Sequence, residues 1–364
     1  MVNTEKCSIN EMNLKNFIIP IVFSIILMFI NTSISILNII FYSIAMIPLA
    51  IVLGNETSNI SEYIGRKKGG LLAATVGNLP ELMMGFWSIR YGMFEMAQAG
   101  LMGAVITNML LGLGLAVLLG GIKFKEQRFN KAIARTNFQM LLLAISSIII
   151  ISSLNNYTLL EDGKVIKISA IVSIVLIVIY VLGLIFSLYT HENLFLISDE
   201  KDISRNNSKF KKQKIITFFK IVFISGLLYL VSEKLIGNIN LVVENYNISQ
   251  EFIGIILIPL LGSFGESGTS IICAMNNKID CSLETAIGSS IQISLFVIPI
   301  LILFSAFMGF NMTLVFSTFQ IIMLIISLVM AYFVFQDGKT YWLEGGILTA
   351  TYIIITVAYY FVSC

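Results

Sequence analysis

Charge, histidine, proline and cysteine are all scarce in this chain. Only 12% of its 364 residues are charged, against 57% that are hydrophobic, which excludes both a soluble globular composition and a disordered one. A net charge of +2 leaves no basic excess for a nucleic-acid partner, because membrane topology accounts for the basic residues present. The four cysteines, Cys7, Cys273, Cys281 and Cys364, have no CxxC pair and no framework spacing. No chemistry is expected of them. The one histidine, His191 beside Glu192, excludes an imidazole-rich metal centre and reads as an interfacial residue. Alternating apolar and polar strands are also missing, which argues against a transmembrane barrel.

Long apolar runs fill the chain instead. Windows able to cross a bilayer as helices lie near residues 17–30, 34–53, 69–89, 96–119, 136–153, 167–189, 215–232, 251–275, 284–306, 312–335 and 343–363. The expected fold is therefore an all-α polytopic membrane protein of about eleven transmembrane helices. The first window is retained, because no small-residue cleavage site follows it, and it is short enough to merge with the second as a hairpin. Alternating the spans puts Lys6, Lys15, Arg66 to Lys68, Lys123, Lys125, Arg128, Lys131, Arg135, Lys201 to Lys214, Lys278 and Lys339 on one face. That face is expected to be cytoplasmic, with the amino terminus, and the carboxyl terminus outside. Richness in Ile, Asn and Lys points to a bacterial plasma membrane.

The chain is also a duplication. "GNLPEL" at Gly77 to Leu82 and "GAVITN" at Gly103 to Asn108 are answered by "GSFGES" at Gly262 to Ser267 and "GSSIQI" at Gly288 to Ile293, at a constant offset of 185 residues. Equal spacing of two elements marks an internal repeat. The expected division is 1–33 for the amino terminus and first helix, 34–189 for a five-helix repeat, 190–214 for a basic cytoplasmic linker, and 215–364 for a second repeat. An odd number of helices inverts the second copy relative to the first. Such an axis brings Glu81 and Glu266 together near the bilayer centre, and they read as the only acidic residues deep inside a span.

A carboxylate at that depth costs at least about 2.5 kcal/mol on insertion scales, so two at matched positions need a shared purpose. Their neighbours supply the parts of a cation site. Asn78 and Ser263 precede the two carboxylates by three residues and share their helix faces, while Thr107 and Gln292 occupy matched positions in the later helices. Pro80 and Pro259 free the carbonyls of Val76 and Ile255, and Gly262, Gly265 and Gly268 allow close approach. Oxygen ligands with two carboxylates select Ca2+ or a similar hard cation over Zn2+ or Cu2+. Two carboxylates in low dielectric disfavour each other's ionisation, so cation and protons compete for the pair.

Five stretches carry a resemblance to a known family: "IPLAIVLGNETSNISEYIGRKKGGLLAATVGNLPELMM", "QAGLMGAVITNMLLGLGLAVLLGGIKFKEQRFN", "IGIILIPLLGSFGESGTSII", "GSSIQISLFVIP" and "DGKTYWLEGGILTATYIII". Together they resemble the calcium/proton exchangers of the Ca2+/cation antiporter superfamily, across residues 45 to 360. The resemblance implies a first helix outside two inverted five-helix repeats, alternating access, and proton-driven movement of Ca2+, with no cofactor beyond the transported ions. It maps the acidic pair onto Glu81 and Glu266 and the polar helpers onto Asn78, Ser289 and Gln292, with Gln98 in the matching region of the first half. This chain departs from the pattern at Ser263 and Ser267, where the family has Asn and His, and at Ala73, Ala104 and Ser58. Three other readings stay open at this point: Na+ as the driving ion or Mn2+ or a monovalent ion as cargo, a transport-inactive relative, and an intramembrane acid-dependent enzyme. The last lacks any H-E-x-x-H or serine-nucleophile motif, so no enzyme is expected.

Overall fold

In hydrocarbon each backbone N–H and C=O must find a partner within its own segment, so the apolar windows form helices. The computed structural model describes residues 17–64, 72, 75–158, 161–191, 208–246 and 248–363. Expectations that rest on Lys6, Cys7, Lys15, Arg66 to Lys68, Ala73, Glu192, Lys201 and Cys364 fall outside these residues. The helices are α1 (Phe17–Phe29), α2 (Ser35–Ile64), α3 (Leu79–Arg90), α4 (Phe94–Phe124), α5 (Lys131–Thr158), α6 (Asp162–Ile185), α7 (Ser208–Tyr246), α8 (Gln250–Gly262), α9 (Phe264–Met275), α10 (Ile279–Met308), α11 (Thr318–Val334) and α12 (Trp342–Ser363). Among the described residues seven helices are long and apolar enough to cross a membrane, and the bent pair α8 and α9 makes an eighth.

The window 251–275 is not one helix. It bends by 54° between α8 and α9, at Ser263, whose φ of −84° and ψ of 7° leave the helical range. Asn78 makes the matching break before α3, with φ −98° and ψ 24°. The two helices that follow these breaks have 12 residues each and start 185 residues apart, at Leu79 and Phe264. π turns interrupt the next helices too, at Thr107–Gly112 in α4 and Ile293–Val297 in α10. The sequence duplication is thus a duplication of helix defects, and Gly103 and Gly288 lie within helices.

Pro259 acts differently from the expectation. It sits inside α8, and the Ile255 carbonyl it frees lies against α4: a Cβ at Gly103 would stand 2.7 Å from that oxygen and 2.6 Å from the proline ring. Glycine at 103 lets α4 and α8 touch backbone to backbone.

The buried apolar residues form two cores. One joins α1, α2, α3, α7 and α8, and the other is built mainly on α4, α5, α10, α11 and α12. Inside the first, Lys220 of α7 donates to Glu56 of α2 at 2.8 Å. Glu56 is 7% exposed, so a third acid on a membrane-length helix is buried within the protein. The sequence reading ended the second span at residue 53 before the polar run at Asn55, but α2 continues to Ile64 and pairs its Glu56 with Lys220. Asn38 also reaches Asn238 across these helices, at 3.2 Å. Helix α7 starts at Ser208, inside the stretch read as linker.

Part of the "DGKTYW" segment expected to be a loop forms a strand. Lys339–Tyr341 (β2) pairs antiparallel with Glu126–Arg128 (β1). This ribbon gathers Arg128 and Lys339 around Glu126, at 2.9 and 3.1 Å.

Candidate cation site at two helix breaks

Both carboxylates stand in the first turn of a half-helix, Glu81 in α3 and Glu266 in α9. A helix amino terminus carries unpaired N–H groups and the positive end of the macrodipole, which favours negative charge there. The breaks at Asn78 and Ser263 therefore place two favourable positions for anions inside the bundle. Glu81 is 1% exposed and Glu266 is half-buried. The two carboxylates are close enough to interact electrostatically.

Each is held by the opposite half of the chain. Ser263 donates to Glu81 Oε1 at 3.2 Å. Gly262 closes the same side, since a Cβ there would stand 2.7 Å from Oε1. Oε2 of Glu81 is buried with no hydrogen-bond partner among the described residues. Asn108 donates to Glu266 Oε2 at 3.3 Å, and the Ser289 hydroxyl lies against the same oxygen.

A polar chain runs on from there. Asn108 donates to Ser289 Oγ at 3.0 Å, and Ser289 lies 2.8 Å from Asn78 Oδ1. Asn78 Nδ2 in turn donates to Gln292 Oε1 at 2.6 Å. Glu266, Ser289, Asn78, Gln292 and Asn108 are thus one hydrogen-bonded cluster, with Glu81 and Ser263 beside it. No group of three His, Cys, Asp or Glu side chains exists among the described residues. Any ligands beyond the two carboxylates would have to be neutral oxygens, which this cluster offers.

Two expected residues point elsewhere. The Thr107 hydroxyl donates to Tyr352 of α12 at 3.4 Å. Gln98 spends its amide on the carbonyls of Thr313 and Val315, both at 2.9 Å. Ser267 packs on α4, where a Cβ at Gly112 would meet its Oγ at 2.8 Å. Asn108 is the residue that sequence reasoning missed. The offset of 185 pairs it with apolar Ile293 and pairs Thr107 with Gln292. Thr107 opens its π turn, whereas Gln292 precedes the corresponding one. Consecutive helical residues point about 100° apart, and it is Asn108, not Thr107, that faces the carboxylates.

Known proteins resemble this chain over most of its length. The chain is 36% identical over 330 residues to a Ca(2+)/H(+) antiporter of Aphanothece halophytica, covering 88% of each chain. It is 31% identical to the Ca(2+)/H(+) antiporter ChaA of Bacillus subtilis, covering 88% of this chain and 90% of that one. The solved structure of native YfkE superposes with a TM-score of 0.80 at 27% identity, over 95% of this chain and 98% of that one. The profile described as sodium/calcium exchanger protein matches residues 17–189 and 216–361, and the chain belongs to that family, within its Ca2+/H+ antiporter branch.

Proposed function

We propose that this protein is a secondary antiporter that exchanges Ca2+ for protons at Glu81 and Glu266. The observation that carries the site is the pair of carboxylates at two duplicated helix breaks, each hydrogen-bonded by the other half of the chain. Two carboxylates match the charge of one divalent ion, and Asn78, Asn108, Ser263, Ser289 and Gln292 offer neutral oxygens. In the ion-free state protons on the carboxyl groups remove the same charge, so either load lowers the cost of crossing the hydrocarbon. Because the polar groups come from both halves, a relative shift of the halves can remake the cluster toward the other face.

The two five-helix units are assigned to 34–189 and 215–364, related by an inverted axis. The basic end, where Lys123 reaches the Met275 carbonyl and Arg128 and Lys339 share Glu126, is assigned to the cytoplasm of a bacterial cell.

The test is uptake of radiolabelled Ca2+ into proteoliposomes under an imposed pH gradient without Na+, repeated with a Na+ gradient. Proton-driven uptake that disappears in both Glu81→Gln and Glu266→Gln is expected. Uptake driven by Na+ alone would reassign the coupling ion, and full activity in either folded variant would remove that carboxylate from the site.

A further inference from the structure

The sequence assigns no chemistry to Cys273 and Cys281, because they form no CxxC pair and no framework spacing. The fold closes that gap. Cys273 lies near the end of α9 and Cys281 near the start of α10, on either side of a turn in which the Lys278 N–H donates to the Cys273 carbonyl at 2.9 Å. They lie between that turn and the rung of an antiparallel helical hairpin made by Ser270 and Ser282, whose hydroxyls are 2.6 Å apart.

The hairpin turn is tightly held. Asn277 takes a positive φ of 58°. Gln127 donates to the Ala274 carbonyl at 2.8 Å and to Asn277 Oδ1 at 3.1 Å. Both cysteines are free and half-buried, so a small oxidant can reach them. The helices they connect carry Glu266 and Ser289, which touch in the ion cluster.

We propose that Cys273 and Cys281 are a peroxide-oxidisable dithiol whose disulfide ties α9 to α10 and slows exchange. A thiolate of the pair attacks the peroxide O–O bond, forming a sulfenic acid and releasing hydroxide. The second thiol then attacks that sulfur, forming the S–S bond as the sulfenic oxygen leaves as water. Two thiols and one hydrogen peroxide give one disulfide and two waters. A disulfide holds its two Cα atoms within about 4.4–6.8 Å, which opposes sliding between the helices that bear Glu266 and Ser289. In a reducing compartment the pair rests as thiols, and oxidation is a transient signal.

The rate readout rests on the exchanger reading, whereas the covalent readout does not. The experiment treats Cys7→Ser/Cys364→Ser protein in proteoliposomes with hydrogen peroxide and measures intact mass and Ca2+ uptake on the same sample. Loss of two hydrogens with a several-fold fall in uptake, both reversed by dithiothreitol, is expected. Cys273→Ser and Cys281→Ser, added singly, should keep the untreated rate and lose the response. Failure to form the bond, or a disulfide with unchanged uptake, would overturn the proposal. Absence of uptake before oxidation would instead count against the exchanger reading, and the mass would still report on the dithiol.

Discussion

Gly262 and Glu81 touch across the two halves of the chain, so closely that a Cβ on Gly262 would stand 2.7 Å from Oε1, 2.8 Å from Cδ and 2.9 Å from Cγ of the glutamate. Backbone of one repeat thus forms a wall of the carboxylate site in the other. Gly268, two turns later in sequence, has nothing within 4 Å of such a Cβ.

Gly262→Ala should therefore displace Glu81 and cost about 1–3 kcal/mol of overpacking, lowering exchange by roughly ten- to a hundredfold. Gly268→Ala should transport normally. Equal activity in the two variants, at equal amounts of folded protein, would contradict the contact.

Asn108 donates to both Glu266 and Ser289, whereas Gln98 binds only the carbonyls ahead of α11. Hydrogen bonds to a charged group contribute about 1.5–3 kcal/mol. Asn108→Ala is expected to raise the half-saturating Ca2+ concentration about ten- to a hundredfold. Gln98→Ala should lower thermal stability and leave that concentration unchanged. A Ca2+ titration of uptake beside a melting curve separates the two, and the reverse pattern would exchange their roles.

Glu56 and Lys220 pair inside the α2 and α7 contact. Removing one partner of a buried pair costs about 3–5 kcal/mol, and removing both costs far less. Lys220 keeps 26% of its side chain exposed, so the lower end of that range, about 3 kcal/mol, is expected for Glu56→Gln. Adding Lys220→Met should restore most of the loss in a detergent melting experiment. A double variant no more stable than the single one would show that the pair does not act as a unit.

Glu126 supplies a pH dependence outside the membrane. The hydrogen bonds from Arg128 and then Lys339 hold its carboxyl below the usual carboxylate range. A lowered carboxylate stabilises the fold above its unfolded pKa, and that contribution is lost as pH falls through the folded value. The β1 and β2 ribbon should stay closed at neutral pH and loosen in acid. Hydrogen exchange of residues 126–128 and 339–341 at falling pH checks this, and Glu126→Gln should abolish the dependence.

The class of protein, the repeat and the two carboxylates were legible in the chain because they are one-dimensional properties. Apolar run length reports the bilayer, an offset of 185 residues reports the duplication, and a glutamate within a long apolar run stands out by composition. Asn78, Ser263, Ser289 and Gln292, which meet around those carboxylates, were picked out in the same way, by spacing or by resemblance.

What only the tertiary structure decided depends on the phase between helices. Thr107 meets Tyr352 and its neighbour Asn108 meets Glu266, although the repeat offset matches Thr107 to Gln292. The helix break came at Ser263, and the carbonyl freed by Pro259 went to Gly103 rather than into the site. Glu56 was hidden because its partner, Lys220, lies 164 residues away, and the two cysteines because a hairpin turn separates them. Periodicity fixes which face of a helix a residue occupies only while the helix is regular. At a break or a π turn the local backbone sets the direction, and packing against a distant segment selects what the side chain meets.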